Sequence, residues 1–238
     1  MQRGKNIIDI RQMLVYEDEH LLVVNKPEGL LTIKDDKGGL NLYHELYNYV
    51  LSKHNKQRLF VVHRLDKDTS GLLIFAKDAR TKTLLQECFE EQIVTRKYEA
   101  VTKSGSLEVH EKKKIVINLN EDKNHIVRVV DSNHGKRCET NVECLAKKNG
   151  HSYLDISLVT GRRNQIRLSL KEIGMPIVGD KKYDGQKGNR MKLNAYYLEF
   201  PSTIGLKKYK FSIEKIFDGE FFKKETTKDK NDDLLSLV

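Results

Sequence analysis

No apolar run in this chain is longer than a short β-strand, and turn residues punctuate the runs from end to end. Such runs specify strands wherever β-branched and large apolar residues sit between breaks. Leu21 to Val24 reads as a strand broken by Pro27 and Gly29, and further strands are predicted at RKYEAVT, KKIVINL, HIVRVVD, TNVECLAK and SYLDISLV. MKLNAYYLEF and KKYKFSIE supply the last two. Helical spacing is confined to three places. Tyr43, Leu46, Tyr47, Val50 and Leu51 recur at i, i+3, i+4, i+7 and i+8. Asp78 is placed to cap a helix over about Ala79 to Glu91 that buries Leu84, Leu85, Cys88 and Phe89. Ile166, Leu170 and Ile173 mark a third helix, with Gly174 as its stop. Runs of strands without regular βαβ alternation indicate an α+β fold with an antiparallel style of sheet. One domain over 1–222 is the simplest count, and the polar stretch 223–238 reads as a frayed tail.

One segment carries more charge than a turn needs. In VVHRLDKDTSGLLIFAK, the apolar pairs and runs at Val61-Val62 and Leu72 to Ala76 flank His63, Arg64, Asp66, Lys67 and Asp68. A carboxylate on a loop between two buried strands is well placed to face a cleft. The spacing Asp66-x-Asp68 with His63 suggests a metal, but the interleaved Arg64 and Lys67 oppose a divalent cation. Ser70 lacks the frame of a nucleophile elbow. Periodicity alone favours an ion pair from Arg64 to Asp66 or Asp68 that braces a hairpin.

Lys and Arg number 43 against 34 Asp and Glu, a formal charge of +9, which suits a polyanionic partner such as a nucleic acid, or plain solubility. Cys88, Cys138 and Cys144 are odd in number and lack C-x-x-C spacing, so they read as reduced thiols. The N-terminal MQRGKNIIDIRQM has no apolar signal region and no run suggests a membrane span, so a cytoplasmic protein is expected.

Three more segments stand out. In TGRRNQIR, Arg163 and Arg167 lie four apart beside Asn164, and a shared helix face would present two forks to a carboxylate or phosphate, or simply to solvent. In RKYEA, Tyr98 faces away from Lys97 and Glu99 and is either core or a flat platform for a base. In GMPIVGDKKYDGQKGNR, Gly179, Gly185 and Gly188 accompany Lys181, Lys182, Lys187 and Arg190, a phosphate-friendly surface without Walker or dinucleotide spacing.

Taken in order, HRLDKDTSGLLIFAK, RKYEA, TGRRNQIR and GMPIVGDKKYDG, preceded by YEDEHLLVVNKPEGLL, resemble the RluA-type family of pseudouridine synthases from about Tyr16 to Phe200. The resemblance implies a cofactor-free isomerase that turns uridine into pseudouridine (5-ribosyluracil) in ribosomal RNA or tRNA, on a curved, mixed, largely antiparallel sheet flanked by helices and loops. It implies Asp66 as the catalytic aspartate, attacking covalently or abstracting a proton at C2′. Tyr98 matches the tyrosine that stacks on the target base, Arg167 the basic partner of the aspartate, and Leu193 an apolar wall of the uracil pocket. Arg64 would help displace a flipped base, with Arg163 and Asn164 as further substrate contacts. The chain departs from the family pattern at Asn164 and Asn194, where histidines are usual. The reading is of a catalytic domain alone, without an S4-like module, that acts as a monomer on RNA and involves no metal and no membrane. An RNA-binding or chaperone-like protein is the alternative, against which Asp66, Tyr98 and Arg167 argue. A glycosidase would need two acids set across a cleft, which Asp66 and Asp68 are not.

Overall fold

The computed structural model describes residues 9–34, 39–53, 58–203 and 205–222; the expected tail, 223–238, lies outside them. A one-turn helix α1 (Ile10–Met13) leads into a hairpin of β1 (Leu14–Glu17) and β2 (Leu21–Lys26). Helix α2 (Leu42–Lys53), strands β3 (Phe60–Val61) and β4 (Ser70–Ala76), and helix α3 (Ala79–Glu90) follow. Five strands come next: β5 (Thr95–Lys103), β6 (Lys112–Glu121), β7 (Val127–Val130), β8 (Lys136–Lys148) and β9 (His151–Leu158). Helix α4 (Gln165–Glu172), β10 (Leu193–Phe200), β11 (Tyr209–Ser212) and a short 3-10 turn (Asp218–Glu220) complete the order. Among the described residues no helix is long and apolar enough to cross a membrane.

All these strands form one sheet in the order β1-β2-β4-β10-β5-β9-β8-β6-β7, with β3 added to β4 and β11 to β10. The pairings are antiparallel except that of β4 with β10, which spans only Asn194 opposite Ser70 and Ala195 opposite Gly71. The expected α+β architecture is therefore present, mixed at a single short contact. Gly71 makes that contact. Its φ is +115°, and a Cβ there would stand 2.2 Å from the Ala195 carbonyl oxygen, so only glycine lets the two backbones meet.

Alternation along the central strands divides the core. Leu22, Val24, Leu73 and Phe75 face one side with Leu42, Leu46 and Val50 of α2 and Ile166, Leu168 and Leu170 of α4. Leu21, Val23, Leu72, Ile74 and Ala76 face the other side with Leu85 and Cys88 of α3. Every residue of β4 is buried, as a strand covered on both faces requires. Each fully buried Leu, Ile or Phe contributes about 1.5–3 kcal/mol, so β4 is a stiff mount for whatever precedes it. Asp78 caps α3 as its position indicates: its carboxylate accepts from the Thr81 amide and hydroxyl, both at 2.8 Å. The three cysteines are free and buried.

Candidate active site

The loop from Val62 to Thr69 hangs from β4 and is pinned on both sides of Asp66. Leu65 is buried, its carbonyl accepting from the Thr32 hydroxyl at 2.8 Å. The Lys67 carbonyl accepts from Lys26 Nζ at 3.0 Å. That ammonium also donates to the Pro27 and Leu30 carbonyls, 2.9 Å each, from a fully buried side chain. Burial lowers the Lys26 pKa to about 8, against the opposing pull of Asp68 and Asp66. Between these anchors Asp66 begins a tight turn, its carbonyl accepting from the Thr69 amide at 3.1 Å. The loop cannot slide without breaking several buried hydrogen bonds, so the Asp66 carboxylate has a fixed address.

Arg64 is exposed at the rim, and the ion pair with Asp66 or Asp68 that periodicity favours is not among the contacts of the described residues. His63 is not near a carboxylate set either. Its Nε2 accepts from the Ile74 amide at 3.2 Å and its ring packs on Phe89. Burial, helped by Arg96, drives its pKa to about 3, so it is a neutral structural acceptor. The described residues hold no group of three His, Cys, Asp or Glu side chains at metal-binding range.

Asp66 faces Arg167 of α4, with Oδ2 at 3.5 Å from Nη1. The closer partner of Arg167 is one that the sequence reading missed. Asp180 takes Nε and Nη2 in a bidentate pair, both bonds 2.7 Å. Asn164 Oδ1 accepts from Nη1 at 3.1 Å, and the Tyr183 ring lies 4.9 Å from the guanidinium carbon. Tyr183 is fixed in turn by Asn164 Nδ2, which donates to its hydroxyl at 3.0 Å. Burial opposes the charge on both members of the Arg167–Asp180 pair, but their mutual hydrogen bonds win. The Arg167 pKa is held above and the Asp180 pKa below its ordinary value. The amides of Lys182 and Tyr183 add to the Asp180 carboxylate.

The expectation that Arg163 and Arg167 share a helix face is corrected. Asn164 has φ +57°, a left-handed conformation that asparagine tolerates, and α4 starts only after it. Arg163 therefore stays at the outer edge of the cavity, paired with Glu121 2.6 Å away, while Arg167 turns inward. Arg190 departs from the phosphate-friendly surface predicted for its segment. It donates to Ser70 at 2.8 Å and lies 3.1 Å from Glu28, whereas Lys181, Lys182 and Lys187 are exposed. Asn194 is buried behind the site, receiving the Ser70 hydroxyl and donating to Glu99, each at 2.8 Å.

One open cavity of about 150 Å³ collects Asp66, Tyr98, Arg167, Leu193, Arg64, Arg163 and Asn164. Tyr98 is buried with its ring in the wall, and burial raises its pKa. Leu193, at the start of β10, adds an apolar surface. A cavity lined by a tyrosine ring, a leucine, a carboxylate, a held guanidinium and further arginines suits a flat polar ring on an anionic backbone.

The RNA pseudouridylate synthase family model matches residues 20–172. Ribosomal large subunit pseudouridine synthase C of Rickettsia bellii is 34% identical over 206 residues, 85% of this chain and 66% of the relative. Ribosomal large subunit pseudouridine synthase D of Pseudomonas aeruginosa is 35% identical over 185 residues, 75% of this chain and 55% of the relative. The chain thus spans less than two thirds of the length of these curated relatives. Among solved structures, human RNA pseudouridylate synthase domain containing 1 superposes with a TM-score of 0.71 at 23% identity, covering 92% of this chain and 89% of that one, a likeness of fold. By its matched residues and its relatives, the chain belongs to the RNA pseudouridylate synthase family.

Proposed function

We propose that this chain isomerises uridine to pseudouridine in large-subunit ribosomal RNA, with Asp66 as the catalytic carboxylate. The observation that carries the reading is the convergence of Asp66, Tyr98, Arg167 and Leu193, from four separate elements, on one cavity. Tyr98 stacks on the uracil, Leu193 closes the apolar side, and Arg167 orients the Asp66 carboxylate. Asn164 and Asp180 act through Arg167, which is how an asparagine can serve at a position where histidine is usual. Arg64 and Arg163 stand at the mouth, where a flipped nucleotide would enter and its phosphates would lie. A monomer working in the cytoplasm without a cofactor is part of the same proposal, and the monomer is consistent with a single chain lining the cavity. The names of the curated relatives favour ribosomal RNA over tRNA.

The chemistry removes hydrogen from C5 of the target base, so tritium release from transcripts carrying [5-³H]uridine reads turnover directly. Large-subunit ribosomal RNA should release tritium with the native chain and none with Asp66→Asn. Release by Asp66→Asn would overturn the assignment of the carboxylate. Release from tRNA alone would move the substrate. RNA binding without release from either would leave an RNA-binding protein instead.

A further inference from the structure

Four cationic side chains are buried among the described residues: Lys26, Lys77, Arg96 and Arg167. Arg167 is paired with Asp180, and Lys77 with Glu17 at 3.1 Å. Lys26 gives its three protons to carbonyls. Arg96 has no carboxylate within ion-pair distance among the described residues, and its Nε is buried without a hydrogen-bond partner. Its one protein acceptor among the described residues is the Val159 carbonyl at 3.2 Å, and its guanidinium rests against the Phe89 ring at 5.4 Å. Leaving a guanidinium this poorly compensated costs folding free energy, and an apolar residue of similar length would avoid that cost.

Its location shows what the charge faces. Arg96 and Tyr98 are two apart on β5 and point to the same side of the sheet. Gly161 lines the cavity, and a Cβ on it would lie 2.2 Å from Arg96 Nη1, so the guanidinium stands directly behind that part of the wall. Any larger residue at 161 would push it away.

We propose that Arg96 supplies a standing positive field that stabilises the uracil ring while it carries negative charge; this rests on the synthase reading above. When the N1–C1′ bond breaks, its electron pair leaves with the ring, whether Asp66 bonds to C1′ or takes the C2′ proton. In the covalent route, C5 of the uracil anion then attacks C1′ and releases the Asp66 carboxylate. A proton leaves C5 and one enters N1, so atoms and charge balance. During the rotation the ring is an anion in a partly closed site, where a fixed cation acts more strongly than it would in water. Arg167 offers little net charge for this, because Asp180 and Asp66 both face it. Arg96 has no such carboxylate.

The test compares Arg96→Met and Arg96→Lys with the native chain, using tritium release from a [5-³H]uridine transcript of large-subunit ribosomal RNA, filter binding of the same RNA, and thermal melting. Arg96→Met should lower kcat about tenfold to a hundredfold, leave RNA affinity unchanged, and melt at the native temperature or above. Arg96→Lys should recover most of the rate. A lower melting point with a proportionate loss of rate would make Arg96 a brace between Phe89 and Val159 and overturn the proposal. So would an RNA affinity that falls in step with the rate, which marks a phosphate contact. Undiminished turnover by Arg96→Met overturns it while leaving the synthase reading intact; no release by the native chain overturns the synthase reading itself.

Discussion

Replacing Asp180 with Asn keeps the shape of the side chain and removes the charge that holds Arg167 from below. The two groups are 1% and 8% exposed, and two 2.7 Å bonds join them. Removing one member of such a pair strands a buried charge and costs about 3–5 kcal/mol. Asp66, 3.5 Å from the same guanidinium, offsets part of that loss, which places the expectation near the lower figure. For a domain of this length, about 3 kcal/mol lowers the melting temperature by roughly 6–12 °C. The Arg167→Met, Asp180→Asn double variant removes both charges and should be more stable than the sum of the single losses, with a coupling of at least about 1.5 kcal/mol. The sign with pH follows from the depressed Asp180 pKa. The stabilisation is complete above the unfolded carboxylate value near 3.9 and disappears as pH falls below it, so native and variant melting curves should converge in acid. Turnover should fall as well, because Arg167 loses the anchor that sets its Nη1 against Asp66. A single-variant cost under about 1 kcal/mol, or additive losses in the cycle, would refute a bidentate buried pair as the anchor of the site.

Gly71→Ala should destabilise by more than about 3 kcal/mol and abolish turnover together, since the new methyl meets the Ala195 backbone and the φ of +115° is hostile to it; near-native melting would show that β4 and β10 have room to part. His63 titrates far below its ordinary 6.5, at about 3. The unfolded chain binds a proton there that the folded chain refuses, so stability should decline as pH falls from about 6.5 toward 3, by at most about 1.4 kcal/mol per pH unit from this residue. Urea titrations of His63→Gln at pH 7 and pH 5 should show a shallower decline than the native chain, and equal declines would dismiss His63 as a neutral acceptor.

Strands such as Leu21–Lys26 and Ser70–Ala76 were legible as short apolar runs bounded by turn residues, because a strand covered on both faces is apolar almost throughout. Asp78 was legible because a cap is a local bond. The hairpin of β1 and β2 was not, since β1 is only partly buried and carries no clear alternation. The candidate site residues were found through ordered motifs, but their partners were not. Asp180 is thirteen positions beyond Arg167 and across a turn, and Lys26 reads as a strand end beside Pro27. A lysine closing an otherwise buried strand, and an aspartate followed by lysines in a glycine-rich loop, were the available signals. Neither specifies a partner until the chain has folded. The Arg163–Arg167 spacing misled because one left-handed residue, Asn164, cancels a helical repeat.

The two-residue contact between β4 and β10 also bears on the order in which the protein is built. Ser70 and Asn194 are 124 positions apart, and β10 lies between the strand that carries Asp66's loop and the strand that carries Tyr98. A ribosome that has released the chain only as far as β9 has made the carboxylate and the ring but has nothing to seat them side by side. The cavity is closed by a strand made after the groups it seats, so a chain that stops short of β10 has the carboxylate and the ring without the site.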